Sequence, residues 1–393
     1  MISFEDARKI VLSSAYLTDE EAVPLQQAFR RILAQDVYAD RDIPPFNKSA
    51  MDGYACKSSE RNERLTVIET IPAGAMPRRS IGSGECAKVM TGAMIPEGAD
   101  CVVIVEKAKR EGDRVTFSDP EVRSNICVRG EDIKKDALVL TPGSFISAAN
   151  VAVLATVGCD PVTVRKQPAV GVLATGSELV EPSAKPDGAS IRNSNSHQLC
   201  AQIELCGCRP AYYGIAGDSP QEIGAKVEQA LDECDVLLVS GGVSAGDYDF
   251  VPGVLKQHGV DLIFDKVAIK PGKPTVFGSS QDSFFFGMPG NPVSTFVIFE
   301  VLVKPFLLKL MGFEWTPQIV HGTLAHAVPI KKSGRLVFLP VQLMRDGTIE
   351  RISYHGSAHI NAYSYANALL EIHSNVSSLP AGARVKVQLI STC

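Results

Sequence analysis

Residues 236–250 read VLLVSGGVSAGDYDF: the apolar run Val236 to Val239, then Ser240-Gly241-Gly242-Val243-Ser244-Ala245-Gly246-Asp247-Tyr248-Asp249 and Phe250. A short apolar run bounded by turn residues fits a strand buried on both faces. A glycine-rich loop at its carboxyl end is where an open α/β sheet contacts ligands. Glycines let the backbone come close to a ligand and offer several N–H groups to phosphate oxygens, while Asp247 or Asp249 supplies oxygen to a divalent ion. The loop lacks the Gly-Lys-Ser/Thr ending of a P-loop and the spacing of a dinucleotide fingerprint, so neither label applies.

The flanking sequence alternates in the same style. Strands are expected over 169–174, 209–213, 262–268 and 284–286, and helices over 194–206, 220–231, 251–258 and 292–311. Strands broken by helices at this spacing predict βαβ units, hence a doubly wound parallel sheet with helices on both faces. Three further loops end strands. Ala174-Thr175-Gly176-Ser177-Glu178-Leu179 offers amides to an anion and the Glu178 carboxylate to a cation. Ile269-Lys270-Pro271-Gly272-Lys273-Pro274 is a stiff loop that fixes two positive charges near an oxyanion. Pro289-Gly290-Asn291-Pro292 turns into a helix whose N-terminus attracts an anion. Any one of them is as well read as an ordinary or solvated turn; four on one sheet point jointly to a phosphate-binding crevice.

Outside this region, Ser3 with Asp6 forms a capping arrangement before Phe4, Ala7, Ile10 and Val11, and Pro24 precedes Leu25, Ala28, Phe29, Ile32 and Leu33 at helical spacing. Both patterns predict helix across the first forty residues. Short apolar runs at 65–71, 101–106, 114–117 and 137–140 predict a mainly β lobe. An apolar helix over 147–158 and a strand over 161–165 are expected to pack on the N-terminal segment, which makes the lobe an insertion. Short strands return after Trp315, notably over 336–340 and 384–390, and predict a small barrel or sandwich. The expected division is 1–41 with 141–167, then 42–140, 168–314 and 315–393.

The composition is 45% hydrophobic and 21% charged, ample for several cores in 393 residues. A net charge of -5 without a run of Lys and Arg argues against nucleic-acid or membrane-surface partners. No segment is apolar for long enough to span a bilayer, and MISFEDARKI lacks a signal-peptide pattern, so a cytoplasmic protein is expected. The 10 cysteines sit mainly in apolar stretches and read as buried thiols. Cys200, Cys206 and Cys208 lack a CxxC pair or a nearby His, and His355 with His359 lacks the His-Glu-x-x-His context of a zinc pair.

Taken in order, Pro44-Pro45-Phe46, Ser49-Ala50-Met51-Asp52-Gly53-Tyr54-Ala55, Met90-Thr91-Gly92-Ala93, Gly98-Ala99-Asp100, Gly130-Glu131-Asp132-Ile133, Thr175-Gly176-Ser177-Glu178-Leu179, Asn193-Ser194-Asn195, Gly217-Asp218, and the serine-glycine, lysine-proline and Pro289-Gly290-Asn291-Pro292-Val293-Ser294 loops resemble the MoeA family, the molybdopterin molybdenumtransferases, over nearly the whole chain. The resemblance implies an elongated multidomain α/β plus β protein: a discontinuous helical segment, an inserted β lobe, a central MogA-like α/β domain and a C-terminal β-barrel. It implies a homodimer whose cleft joins the α/β domain of one subunit to the lobe of the other. Transient contact with the molybdopterin adenylyltransferase and with cofactor-accepting enzymes is also implied.

The implied reaction inserts molybdate into adenylylated molybdopterin, with Mg²⁺ as cofactor and AMP released. Carried over by motif, Glu178 and Asp249 hold the cation, Asp218 lies near the nucleotide, and Asp52, Thr91 and Asp132 line the opposing wall. Lys270, Lys273 and Ser244 face phosphate or molybdate oxygens, Arg335 contacts molybdate, and Thr175, Gly176, Ser194, Asn195, Gly241, Gly242, Pro289 and Pro292 line the substrate. Phe250, where many members have Tyr, and Asn47-Lys48 depart from the family pattern without removing a ligand. Two other readings are a non-catalytic pterin-nucleotide carrier or scaffold and the adenylyltransferase. The acidic set favours catalysis over the first, and the lobe and barrel around the α/β domain argue against the second. Asp249→Ala is expected to abolish molybdate insertion and leave the fold intact; undiminished cofactor formation from purified adenylylated molybdopterin would refute that role.

Overall fold

The structure is a computed structural model and describes residues 1–118, 123–243, 250–330, 334–353, 356 and 358–390. Its centre is a six-stranded sheet in the order Arg209–Ala216, Ala169–Thr175, Val236–Ser240, Phe284–Met288, Val276–Ser279, Asp261–Phe264. The first four strands are mutually parallel. Side chains alternate between its two faces, as the period of two requires. Val170, Val172, Val236, Leu238 and Phe286 meet helix Asn195–Leu205 and the helical run 292–310 on one face. Leu173, Leu237, Val239 and Phe285 meet helices Pro220–Glu233 and Val251–Gln257 on the other. The doubly wound expectation therefore holds, with one correction: Val276–Ser279, unread in the sequence, runs antiparallel to both neighbours. The expected strand over 262–268 ends at Phe264.

The N-terminal reading needs a larger correction. Helix Phe4–Ser14 forms as expected, with the Ser3 hydroxyl accepting from the Asp6 amide at 3.0 Å. The second helix does not form beyond a single turn of 3₁₀ helix, Leu25–Gln27. The chain there pairs instead with the segment that returns after the inserted lobe. Glu20–Val23 lies antiparallel to Val162–Arg165, Val37–Tyr38 pairs with Leu138–Leu140, and the Leu33 amide donates to the Ser144 carbonyl at 2.9 Å. Arg30 has a φ of 63°, which breaks any helix through it. Ala28 and Leu33 are buried with Leu154 of helix Ala148–Thr156, but Phe29 stays 54% exposed. Apolar spacing was satisfied by an irregular extended path with long-range pairing, which overrides local propensity.

The inserted lobe is a six-stranded sheet from Gly53–Cys56 to Arg114–Phe117, with small apolar clusters on its two faces. At the C-terminus, Leu336–Leu343, Thr348–Arg351, Ile319–Leu324, Arg384–Leu389 and Ala368–Ile372 pair in a ring, and the last strand closes on the first. That closed five-stranded barrel is filled by Val337, Val341, Ile349, Leu370 and Val387. It is stitched to the central domain by Ile269–Lys270, which leaves the main sheet and runs parallel to Leu336–Val337. The accessible surface of 19277 Å² exceeds the roughly 15,000 Å² of a compact monomer of this size, as an elongated, many-lobed chain should. Among the described residues no helix is long and apolar enough to cross a membrane.

The helical run 292–310 carries a π-helical segment, Phe299–Val303, and holds a buried ion pair. Lys304 Nζ lies 3.4 Å from Glu300 Oε2, Gln202 Nε2 donates to Glu300 Oε1 at 2.8 Å, and the ammonium stands 5.3 Å from the Trp315 ring centroid. Both charged side chains are under a tenth exposed. Removing one partner leaves the other charge uncompensated in a low dielectric. Lys304→Met is expected to cost about 3–5 kcal/mol in denaturant unfolding. A loss of about 1 kcal/mol or less would mean that the pair behaves as a solvated surface bridge.

Candidate functional site

Backbone register brings the important loops together. Ala174 is opposite Ser240, Ser240 is opposite Met288, and Thr175 is opposite Ala216. The parallel strands therefore finish at one level, and the loops that follow surround a cleft of about 680 Å³. Thr175, Gly176 and Glu178 line it from the first loop, and Ser194 and Asn195 from the start of helix Asn195–Leu205. Asp218, Gly241, Gly242, Pro289 and Pro292 complete the part foreseen in the sequence. Ser244 and Asp249 lie outside the described residues. Among the described ones, no three Asp, Glu, His or Cys side chains cluster as a metal centre.

The glycines are required by the protein as well as by any ligand. A Cβ at Gly241 would fall 2.5 Å from the Thr175 carbonyl oxygen, and one at Gly242 would fall 2.7 Å from Thr175 Oγ1. Both glycines have positive φ. They remain half-buried and open to the cleft. Gly176 allows the Glu178 carboxylate to fold back over it, since a Cβ there would lie 2.6 Å from Glu178 Oε2. No helix follows this loop directly; it enters the two-residue strand Leu179–Val180, parallel to Ile191–Arg192. Asp218 and Ser177 lock each other: the Ser177 amide donates to Asp218 Oδ2 and the Asp218 amide donates to Ser177 Oγ, each at 3.0 Å.

Asparagines knit the loops. Asn195 Nδ2 donates to Ser240 Oγ and to the Gly290 carbonyl, each at 2.7 Å, so its amide nitrogen is committed to structure. Asn193 Oδ1 accepts from the Ser196 amide at 3.2 Å and caps the helix. Its Nδ2 donates to the Tyr212 hydroxyl at 2.8 Å, and that hydroxyl donates to Glu181 at 2.7 Å. Burial, and then Glu181, push the Tyr212 phenol upward, so it stays a donor. Thr175 is only 4% exposed and its hydroxyl has no partner among the described residues.

Several foreseen residues lie elsewhere. Lys270 lines a second depression of about 490 Å³, with Arg351, Ser377 and Ser378 over Ile330, Val337 and Leu339. The cause is the pairing of Ile269–Lys270 with the barrel, which carries Lys270 away from the main sheet. Lys273 is exposed and Arg335 is half-buried; neither lines either hollow. Arg351 was not foreseen, because an exposed arginine in a short barrel strand carries no motif. Arg192, Ala358 and Ile360 were also missed; the barrel pair reaches the cleft only through the tertiary fold, whereas Arg192 directly precedes the Asn193-Ser194-Asn195 motif.

Asp52, Thr91 and Asp132 are exposed on the inserted lobe and do not line the cleft of their own chain. Asp52 and Thr91 do meet. The Thr91 amide and hydroxyl donate to Asp52 Oδ1 at 2.6 and 2.9 Å. The backbone donor first, and the hydroxyl second, hold the Asp52 carboxyl below its ordinary value of 3.8.

Residues 171–309, which carry the main cleft, match the model described as "Probable molybdopterin binding domain" and so define the class of site. Residues 2–158 match the MoeA N-terminal region (domain I and II), and residues 323–390 the MoeA C-terminal region (domain IV). Molybdopterin molybdenumtransferase of Bacillus subtilis is 33% identical, over 95% of this chain and 90% of its own. That of Haemophilus influenzae is 34% identical, over 99% and 98%. The solved molybdopterin biosynthesis MoeA protein of Pyrococcus horikoshii OT3 superposes with a TM-score of 0.85 at 34% identity, covering 99% of this chain and 100% of that one. The chain belongs to the MoeA family.

In an NMR titration the Asp52 carboxyl should titrate below 3.8, and Thr91→Val should move it up toward that value. Because the folded value is the lower one, the interaction stabilises the lobe above the ordinary value and is lost as pH falls through the folded one. A wild-type midpoint at or above 3.8 would mean that the Thr91 donors are not made in solution.

Proposed function

We propose that this enzyme is a molybdopterin molybdenumtransferase that inserts molybdate into adenylylated molybdopterin and releases AMP. The observation that carries the reading is the main cleft, where Thr175, Glu178, Asp218 and the Gly241-Gly242 turn line one hollow of a size suited to a small-molecule ligand.

Molybdate is assigned to the second depression, where Lys270 and Arg351 supply charge and Ser377 and Ser378 supply hydroxyls to an oxyanion. Gly356 lines that depression and Ala358 and Ile360 line the main cleft, so the two reactants have neighbouring walls.

Glu178, which lines the cleft, suits Mg²⁺, a hard ion that takes one or two carboxylates together with substrate phosphates. Glu178 with Asp249 would hold it, and when bound it would offset charge on the phosphate oxygens. The chain's own work is orientation: the Asn193 and Asn195 bridges fix the helix start, and the Ser177–Asp218 pair fixes the carboxylate wall.

The assignment of Asp52, Thr91 and Asp132 to the site requires the lobe of a second subunit, in a homodimer of cytoplasmic protein. Support comes from their exposure and from the Asp52–Thr91 pair, in which both donors go to Asp52 Oδ1, so that among the described residues none donates to Oδ2.

Purified protein incubated with adenylylated molybdopterin, Mg²⁺ and molybdate is expected to release AMP and yield active cofactor. Glu178→Gln should reduce turnover by about a hundredfold or more, as loss of a charge-stabilising group does. Lys270→Ala and Arg351→Ala should raise the molybdate KM by roughly tenfold each. A wild-type protein that yields neither AMP nor cofactor would overturn the assignment.

A further inference from the structure

We infer that Arg192 binds the anionic group of the ligand in the main cleft. This rests on reading that cleft as the site of a phosphate-bearing molecule. The cleft is acidic: Glu178 and Asp218 both line it. Of the two lysines expected to face phosphate or molybdate oxygens, Lys270 lines the other depression and Lys273 lines neither. Arg192 is the one lysine or arginine among the described residues that line the cleft. A phosphate entering beside two carboxylates needs a fixed positive charge, and Arg192 supplies it.

The side chain is held for the task. Arg192 Nε donates to the Pro182 carbonyl at 3.0 Å and to the Ala184 carbonyl at 3.1 Å. Its backbone is held by the pairing of Val180 with Arg192, and the following amide, Asn193, donates to the Val180 carbonyl at 2.9 Å. Anchoring at Nε leaves the two terminal nitrogens, and among the described residues no carboxylate is paired with them. Those nitrogens form a planar fork that matches two phosphate oxygens. An anchored guanidinium has also lost part of its rotamer freedom before the ligand arrives, which lowers the ordering cost of binding.

The competing role is mechanical: Arg192 braces residues 182–184 and touches no ligand. The two roles separate because lysine keeps the charge but cannot make the Nε anchor. Wild type, Arg192→Gln and Arg192→Lys, as full-length chains, are titrated calorimetrically with AMP and with inorganic pyrophosphate. Arg192→Gln should weaken both by about tenfold or more, and Arg192→Lys should recover part of the loss. Wild-type affinity in Arg192→Gln, a wild type that binds neither anion, or a lysine variant as weak as the glutamine one would each overturn the inference. Turnover of adenylylated molybdopterin is read separately. A wild type that makes no cofactor, with pyrophosphate binding still lost in Arg192→Gln and partly restored in Arg192→Lys, removes the proposed reaction and leaves the anion site.

Discussion

Lateral hydrogen-bond register at the carboxyl end of the central sheet governs the rest of the site. Parallel pairing sets Ala174 beside Ser240 and Ser240 beside Met288, so the loops leave the sheet from one level. Because each loop begins within a strand spacing of the next, the first residues beyond the strands have to pass close to one another. Only glycine at 241 and 242 lets the chain pass the Thr175 carbonyl and hydroxyl. The same crowding buries the Thr175 hydroxyl without a partner among the described residues and leaves the remaining backbone open to the cleft. Packing and binding therefore share one cause, and a larger residue at either glycine disturbs both.

Charge is distributed by topology. The main sheet presents carboxylates, Glu178 and Asp218, with Arg192 as their local counterweight, while the barrel side gathers Lys270 and Arg351 in a separate hollow. A chain of net charge -5 has no general attraction for anions, so local fixation of a few cations decides where they go. Two hollows with adjoining walls suit a reaction between two anionic reactants, which repel one another in free solution and need separate compensation.

The central domain was legible because its signals are short-range. Apolar runs such as Val236 to Val239 and Phe284 to Phe286 fix strands, and the glycine and proline loops after them mark the ligand edge. The cleft residues from Thr175 to Pro292 followed from that pattern together with the family motifs. What failed depended on distant partners. The spacing of Leu25, Ala28, Ile32 and Leu33 fits a helix, yet pairing with 138–146 and 162–165 draws the chain into extended paths. Val276–Ser279 was invisible because an antiparallel insertion in a parallel sheet has no sequence signature of its own. Lys270 was placed on a ligand-edge loop, but that it lines a hollow separate from the main cleft was not legible, since nothing near it in sequence reveals that Leu336–Val337 is its strand partner.

That shared strand changes what the barrel is. Ile269–Lys270 belongs to the α/β portion by sequence and to the barrel by hydrogen bonding, and Phe4 of the first helix packs on Phe338 of the same barrel strand at a centroid distance of 5.7 Å. The barrel is therefore fastened at two places rather than hung on a tether, and it cannot swing without bending the stretch that runs from Lys270 through Pro274 to the rim of the main cleft. Mechanical strain applied at the C-terminal end of the molecule is delivered, through covalent chain rather than through solvent, to the edge of the ligand-binding hollow.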